Sequence, residues 1–307
     1  MQSCQKVFTE RIPGLLPRRR TTERYRRSLL WACETFCDLK KVQKTYRCSN
    51  DFLYRALHDQ LDRKVKNNRY PWPKTIGLDE HSFQKRRTGN IPFASMFVDY
   101  KNKKIFELVD SKSSQRLQEK LELVPGRENV QNVVLDLAEP YKKFVREFFP
   151  NAQMTADKFH VLRLLHPAIN RRRKEITGDR RTLRIRRLLL MSAHRLNYFD
   201  KHDIFEFLKD HPELREIWIT KEKMHALYRC RGIDRARLCL NNILKSLKST
   251  SVTELKTLRR TLWRWSHEIL NHFTTKLTNG RTEGFNNLAK LVKRRAFGYR
   301  NLKTTDD

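Results

Sequence analysis

The sequence predicts an α/β core that is interrupted by a large all-α insertion and preceded by an all-α helix-turn-helix domain. Residues 22–66 contain three amphipathic helical segments, as a helix-turn-helix unit requires. Residues 75–157 alternate in the order β-β-β-α-β-α-β, with polar turns between apolar strand segments. Residues 159–273 have a helical pattern throughout, and a basic helix follows at 279–299. That last helix is therefore expected to belong to the core, although a helical block separates it from the strands.

The chain is strongly basic along its whole length. Lys and Arg number 66 against 34 for Asp and Glu, which gives a formal net charge of +32 over 307 residues. A protein this basic most often binds nucleic acid, because its cations displace the counterions of the phosphates. An anionic membrane surface is the competing partner, but the sequence has no apolar run near the ~18 residues that a spanning helix needs. Nucleic acid is therefore the expected partner, and a membrane is not.

The N-terminus and the cysteines indicate a cytoplasmic protein. The stretch MQSCQKVFTERIPGLLPRRR contains no apolar segment of the kind that directs secretion. Six cysteines lie at positions 4, 33, 37, 48, 230 and 239, and no two of them form a C-x-x-C pair. We therefore expect the cysteines to be small, buried apolar residues with reduced thiols, and a zinc site is not expected in this chain.

Residues 1–70 are predicted to form a basic linker arm at 1–21 and the helix-turn-helix domain at 22–70. Arg18, Arg19 and Arg20 of the arm can lie along DNA or remain solvated. Thr21 or Thr22 can cap the first helix and Ser49 the third, whose Phe52, Leu53, Leu57 and Leu61 are expected to face inward. The candidate DNA contacts of the third helix are Ser49, Asn50, Tyr54 and Arg55. Three-helix units also serve as protein contacts, but the charge favours DNA.

Three of the predicted strands end in an aspartate: Asp79 closes the first, Asp136 the fourth and Asp157 the fifth. The carboxyl ends of neighbouring parallel strands meet at one edge of a sheet, so Asp79 and Asp136 meet if their strands are neighbours. Two close carboxylates repel each other unless a cation joins them, and oxygen ligands select Mg²⁺ or Mn²⁺. A third acid would complete a site for two ions, and Glu283 on the last helix is the natural candidate.

The helix at 279–299 places Glu283 beside a run of cations: Lys290, Lys293, Arg294 and Arg295. One interpretation is a helix that holds a metal ion and a nucleic acid backbone together. The other is a solvated surface helix whose first-turn acid interacts favourably with the helix dipole. Both interpretations are open on this stretch alone.

Other acids compete with these candidates. An isolated aspartate at a strand end is most often a turn or cap residue, and Asp99 and Asp110 on the predicted hairpin of strands 91–100 and 103–111 rank lower for that reason. Asp157 and His160 are three residues apart, either as a supporting hydrogen-bonded pair or as an N-cap beside a partly buried histidine. The sequence contains no G-x-S-x-G, Walker A or G-x-G-x-x-G motif.

Four blocks of the sequence, in order, resemble the ISL-three-type insertion-sequence transposases of bacteria, a DDE family. They are IGLDEHSF with Asp79, VVLDLAEPYKKFVREFFPNA with Asp136, ADKFHV (156–161), and NGRTEGFNNLAKLVKRRAFGYRN with Glu283. The resemblance implies an RNase H-like catalytic core with a helical insertion before the Glu-bearing helix. It implies Asp79, Asp136 and Glu283 as catalytic residues and ligands of two Mg²⁺ or Mn²⁺ ions, with the Asp157/His160 pair beside them.

The resemblance also implies a domain organisation. The core is expected in two parts, 71–160 and 276–307, with the helical insertion at 161–275 between them. Cys4 stands where the last of the family's N-terminal zinc cysteines lies, so the arm is expected to be the remnant of a zinc-binding segment.

The sequence therefore predicts a DDE transposase that cuts DNA at transposon ends and transfers the strand into target DNA. Lys293, Arg294 and Arg295 are expected to hold backbone phosphates. The expected partners are transposon-end and target DNA and further copies of the chain, in the bacterial cytoplasm at the nucleoid. The alternatives are a catalytically inactive DNA-binding derivative or regulator of transposition, and a metal-dependent nuclease without strand transfer.

Overall fold

A computed structural model describes residues 12–35, 38–66, 70–82, 93–178 and 184–295, with the backbone alone at 64–66, 82, 281 and 292–295. The chain divides into two compact units. The first comprises the described parts of 1–70 and 287–307, and the second is Pro71–Asn286. The chain passes from the second unit to the first between Asn286 and Asn287, within the last helix that the structure describes.

The first unit contains three helices near the N-terminus: α1 (Glu23–Thr35), α2 (Leu39–Tyr46) and α3 (Asn50–Lys66). The Oγ1 of Thr22 accepts a hydrogen bond from the backbone N of Tyr25 at 3.2 Å, and the Oγ of Ser49 accepts one from Phe52 N at 3.2 Å. These bonds satisfy backbone donors that have no partner inside the helix. The two caps expected from the sequence are thus confirmed. Residues 1–11, with Cys4, and residues 36–37 lie outside the described residues.

The core of this unit is small and contains five fully buried apolar residues: Leu29, Ala32, Val42, Leu53 and Ala56. On α3 the buried stripe runs through Leu53, Ala56 and Gln60. Leu61 was expected to face inward, but its exposed fraction is 40%. At about 100° per residue, Leu61 lies too far around the helix from the stripe that starts at Leu53 to reach the core.

The second unit contains a five-stranded mixed sheet. Its strands are β1 (Thr75–Ser82), β2 (Phe93–Asp99), β3 (Lys104–Val109), β4 (Asn132–Leu135) and β5 (Gln153–Ala156). The strand order is β3-β2-β1-β4-β5. Strands β1, β2 and β3 pair antiparallel, whereas β4 pairs parallel with both β1 and β5. The expected hairpin is confirmed, and the first and fourth strands are neighbours, which is the condition under which Asp79 and Asp136 were expected to meet.

Two helices between the strands cover an aromatic core: α4 (Ser114–Leu121) and α5 (Glu139–Phe148). Trp72 is central to this core. Its ring centroid lies 4.9 Å from that of Phe149 and 5.5 Å from that of Phe97. Aromatic pairs at these separations add to the area that they bury, so this cluster fixes α5 against the sheet.

Between β5 and the last described helix, the described residues form eight α-helices: α6 (Lys158–Arg163), α7 (His166–Thr177), α8 (Arg184–Leu190), α9 (Tyr198–Lys209), α10 (Pro212–Leu227), α11 (Ile233–Ser246), α12 (Thr253–Arg264) and α13 (Ser266–Thr275). Helix α13 packs against β5, where Asn271 Nδ2 donates to Met154 O at 2.8 Å. The last described helix is α14 (Gly280–Arg295). None of the helices that the structure describes has the length and hydropathy to span a bilayer.

Candidate active site

Three aspartates form a row beside the parallel part of the sheet. The last paired residues of β1, β4 and β5 are Leu78, Leu135 and Ala156, and Asp79, Asp136 and Asp157 follow them. Because β1 continues its antiparallel pairing with β2 as far as Ser82, Asp79 lies within the strand. The sequence-based expectation that Asp79 closes β1 is therefore wrong, but Asp79 and Asp136 do lie side by side.

The carboxyl groups of Asp79 and Asp136 are close neighbours in a buried setting. The Oδ1 of Asp79 accepts a hydrogen bond from Glu80 N at 2.7 Å. Burial, the charge of Asp136 and a hydrogen bond shared with Asp136 raise the pKa of Asp79 to about 7. In the absence of a cation, Asp79 therefore takes up a proton as the pH falls below this value, because burial beside a second carboxylate disfavours its charged form.

The Asp157/His160 pair lies at the same edge of the sheet as Asp79 and Asp136. The Nδ1 of His160 lies 2.8 Å from Asp157 Oδ2 and 2.9 Å from Asp136 Oδ1. Hydrogen bonds to these two carboxylates raise the pKa of His160 to about 10. Asp157 also caps α6, because its side chain accepts from His160 N. The N-cap expected for Asp157 is thus confirmed and its hydrogen bond with His160 is present, but His160 is exposed, not partly buried. The supporting role of the pair stays a prediction.

Helix α14 packs over the face of β1 that carries Asp79. Gly77, Asp79 and His81 alternate along the strand and so point to the same face. A Cβ atom at Gly77 would lie 2.6 Å from Tyr100 Cε1 and still closer to Thr282 Oγ1, so the glycine makes room for the helix. One turn further along α14, Asn286 donates through Nδ2 to Asp79 Oδ2.

The start of α14 is fixed by two further contacts. The Oδ1 of Asp157 accepts from Asn279 N at 3.2 Å, and the hydroxyl of Tyr100 lies 2.9 Å from Thr278 O. The backbone O of Asn279 then accepts from Glu283 N at 2.9 Å. Asp157 therefore connects the row of aspartates with the first turn of the helix, where Glu283 lies.

Glu283 is exposed and lies between the two residues of α14 that contact β1, one position after Thr282 and three before Asn286. It is not a member of the group Asp136, Asp157 and His160, whose ligand atoms all lie within 4.8 Å of one another. The structure thus brings Asp79, Asp136, Asp157 and His160 together. It places Glu283 on the helix that Asn286 fixes to Asp79.

The residues at this edge fit a divalent cation. The imidazole of His160 pairs with Asp136 and Asp157, whereas Asp79 lies beside Asp136 and accepts from two neutral donors, Glu80 N and the amide of Asn286. The raised pKa of Asp79 indicates that the negative charge of its carboxylate is not fully compensated. Carboxylate oxygens are the ligands that Mg²⁺ and Mn²⁺ prefer, so the donor set matches the ions expected from the sequence.

Comparison with known proteins identifies the family. A model of the ISL-three-type DDE family, described as transposase, matches residues 76–305. The chain belongs to this transposase family. The transposase for insertion sequence element IS1001 from Bordetella parapertussis is 23% identical in an alignment 317 residues long, which covers 97% of this chain and 75% of that protein. The family and the resemblance expected from the sequence agree.

In this member of the transposase family, sequence reasoning missed the residues at the contact between α14 and β1: the glycine Gly77 and the polar residues His81, Tyr100, Thr282 and Asn286. Two signals were available. His81 follows Asp79 at the spacing of a strand face, and Asn286 follows Glu283 by one helical turn. The lower-ranked Asp99 accepts from Lys101 N and Asn102 N in the hairpin turn, as a turn residue does.

The residues that were expected to contact DNA have varied environments. Arg18 and Arg20 are exposed, whereas Arg19 forms a two-bond ion pair with Asp59 at 2.6 and 2.9 Å. On α3, Ser49 is a cap, Asn50 accepts from Gln43, Tyr54 is exposed and Arg55 pairs with Asp51. Lys290 is exposed, and the side chains of Lys293, Arg294 and Arg295 lie outside the described residues. Contact with DNA remains a prediction for all of them.

The raised pKa of Asp79 predicts a pH-dependent effect of its replacement on stability. A carboxyl group whose pKa is higher in the folded state stabilises the fold at low pH, and this contribution is lost as the pH rises through the folded-state value, here about 7. Without divalent cations, we expect the Tm of Asp79→Asn to rise relative to that of the unsubstituted chain as the pH rises from about 5 to about 8, because the asparagine stays neutral whereas Asp79 ionises. Thermal denaturation across that range measures the difference.

The matched control for this prediction is Asp110→Asn, since Asp110 is exposed and pairs with Lys120. Its Tm difference should not increase over the same pH range in this way. Added Mg²⁺ should make the Tm of Asp79→Asn lower than that of the unsubstituted chain, because only the unsubstituted chain gains stability from the ion. A Tm difference that stays flat with pH would contradict the raised pKa.

Proposed function

We propose that this chain is a DDE transposase with an RNase H-like core, in which Asp79, Asp136 and Glu283 hold two Mg²⁺ or Mn²⁺ ions. The observation that supports the proposal most directly is the arrangement of the sheet edge. Asp79 and Asp136 directly follow paired residues of adjacent parallel strands, and α14 is hydrogen-bonded to Asp79 one turn beyond Glu283. When bound, the two ions would activate water and stabilise the leaving oxygen of an in-line phosphoryl transfer.

The chain's own residues orient this site. Asp79 and Asp136 present carboxylate oxygens from adjacent parallel strands, which gives them a fixed separation. His160 lies against both Asp136 and Asp157, so it fixes the Asp136 carboxylate in the way that outer hydrogen-bond partners fix metal ligands. Glu283 projects from the first turn of α14, whose start is held by Asp157. The site can therefore be preorganised before DNA binds.

The reaction that we propose has two steps. Water attacks the phosphorus at the transposon end, and the 3′-oxygen of the transposon strand leaves. The freed 3′-hydroxyl then attacks a phosphorus of target DNA and displaces its 3′-oxygen. The three helices α1–α3 would bind the terminal repeats, mainly through phosphate contacts with a few base contacts. Two ends must be paired, so several copies would assemble on DNA, at the nucleoid in the cytoplasm.

The test uses linear DNA that carries candidate inverted repeats taken from the DNA on both sides of this gene, a supercoiled target plasmid and either Mg²⁺ or Mn²⁺. We expect cleavage at the repeat ends and joined products, and we expect chelation of the ions to stop both. Binding to the repeats without cleavage under either ion would contradict the enzyme and support the regulator of transposition. Cleavage without joined products would instead support the metal-dependent nuclease.

A further inference from the structure

Asn286 bridges two residues of β1. Its side chain is buried, with an exposed fraction of 6%, and it is the residue of α14 that contacts Asp79. Its amide oxygen lies 3.0 Å from the Nδ1 of His81, which has an exposed fraction of 1%. The amide thus joins a residue of the proposed triad to a histidine that the proposed chemistry does not use.

The donors and acceptors of this bridge determine one another. The NH₂ group of Asn286 faces Asp79 in the structure, and it must do so when Asp79 is ionised to hold a cation, because an ionised carboxylate only accepts hydrogen bonds. The amide oxygen then faces His81, and because that oxygen also only accepts, the proton of the His81 imidazole must be on Nδ1. His81 thereby selects the one amide orientation that donates to Asp79. Reversing the amide would place two acceptors against each other.

The bridge also fixes the position of the helix along the strand. Asp79 and His81 point to the same face of β1, and a side chain that contacts both can occupy only one position along it. Glu283 lies one helical turn before Asn286. The position of Glu283 relative to Asp79 is therefore set by Asn286 and His81, together with the close packing of Thr282 over Gly77.

A neutral amide suits this place for an electrostatic reason. Glu80 N and the amide of Asn286 donate to different oxygens of Asp79, so neither oxygen has both lone pairs occupied by these two donors. Lys or Arg at position 286 would orient the carboxylate equally well, but its positive charge would compete with a cation at the same oxygens. An amide orients Asp79 without adding charge.

We propose that Asn286 and His81 are positioning residues that hold Asp79 and the turn bearing Glu283 in register for DNA cleavage. This inference rests on the proposed function. Neither residue is assigned a contact with the scissile phosphate. Their contribution should therefore affect the rate of cleavage and the concentration of cation that it needs, while binding of the terminal repeats is retained.

The experiment compares Asn286→Ala with Asn287→Ala, because the neighbouring Asn287 is exposed on the same helix. We expect Asn286→Ala to lower the cleavage rate by about 10- to 100-fold and to raise the Mn²⁺ concentration for half-maximal cleavage, as loss of an outer partner of a metal ligand does. Asn287→Ala should cleave like the unsubstituted chain. The Mn²⁺ concentration that gives half of the ion-induced rise in Tm should increase for Asn286→Ala alone, which is a readout independent of activity.

Two variants of His81 test whether the pair acts as one unit. His81→Ala should lose about as much rate as Asn286→Ala, and the double variant should lose little more than either, since the two residues share one function. His81→Asn should recover much of the rate, because the amide nitrogen of asparagine can replace Nδ1 as a donor. If Asn286→Ala fails to fold, the contrast between His81→Ala and His81→Asn still decides the question.

The outcomes separate this inference from the proposed function. An unsubstituted chain that binds the repeats but never cleaves them overturns the proposed function and this inference with it. Cleavage by the unsubstituted chain, combined with equal rates and equal Mn²⁺ requirements for Asn286→Ala and Asn287→Ala, overturns the positioning role alone. Losses that simply add in the double variant also contradict it, since independent residues behave that way.

Discussion

Glutamine in place of Glu283 is expected to lower metal-dependent cleavage of repeat-end DNA by about 10³-fold, whereas asparagine in place of His160 should lower it by about 10- to 100-fold. The first figure follows from the several kcal/mol that metal-bound charge stabilisation contributes, at about 1.4 kcal/mol for each factor of ten. Single-turnover cleavage under Mg²⁺ measures both rates. The comparison is informative because two sets of residues at this edge compete for the role of ligands.

The two sets differ in chemistry. Asp79, Asp136 and Glu283 offer oxygen atoms only, whereas Asp136, Asp157 and His160 offer two carboxylates and an imidazole within 4.8 Å. The Nδ1 of His160, which approaches Asp136, already donates to Asp157, and the pKa of about 10 keeps this imidazole protonated. Asp157 in turn accepts from Asn279 N at the start of α14. Both residues are thus engaged in fixing their neighbours, which favours Glu283 as the third ligand.

Glu206→Gln is the matched control, since Glu206 is an exposed acid on another helix, α9. This variant should cleave DNA at the rate of the unsubstituted chain. Binding of the terminal repeats should be unchanged in all three variants, which separates chemistry from recognition. The reverse result, full cleavage by Glu283→Gln and none by His160→Asn, would assign the ion to Asp136, Asp157 and His160. It would remove Glu283 from the proposed triad.

That Asp79 and Asp136 meet if their strands are neighbours could be predicted from the sequence, because it depends only on the order and direction of the strands. The element order required crossover connections after the hairpin, and crossovers generate parallel neighbours whose carboxyl ends coincide. The pairing of Leu78 with Leu135 and of Leu135 with Ala156 fulfils this expectation directly. The helix caps predicted at Thr22 and Ser49 are also confirmed, because a cap depends only on residues within one helical turn.

Contacts between distant segments could not be predicted in the same way. Asn286 and Asp79 are more than 200 positions apart, and their hydrogen bond depends on the position at which α14 crosses β1. Helical periodicity shows which residues share a face, but not where along a strand that face will lie. Leu61 shows a similar limit within one helix, because an apolar residue slightly off the buried stripe has the same sequence signal as one on it.

Alanine in place of Gly77 is expected to lower cleavage by about 100-fold, the loss that a misplacement of about 1 Å can cause. The added Cβ would lie 2.6 Å from Tyr100 Cε1 and closer still to Thr282 Oγ1, so that α14 or Tyr100 must move. Overpacking of this kind costs about 1–3 kcal/mol, which corresponds to a fall in Tm of about 2–4 °C per kcal/mol for a unit of this size. Cleavage assays and thermal denaturation measure the two effects.

Two further variants show whether the cause is the fit between α14 and β1. Gly284→Ala changes a glycine of α14 whose Cβ would meet nothing within 4 Å, and alanine is favoured there by about 1 kcal/mol, so Tm should stay level or rise. Adding Thr282→Ala to Gly77→Ala removes the nearer clash, so part of the lost cleavage rate should return. The contact with Tyr100 remains, so recovery should be incomplete. Full activity of Gly77→Ala itself would show that the cleaving form of the enzyme does not require α14 to pack this closely on β1.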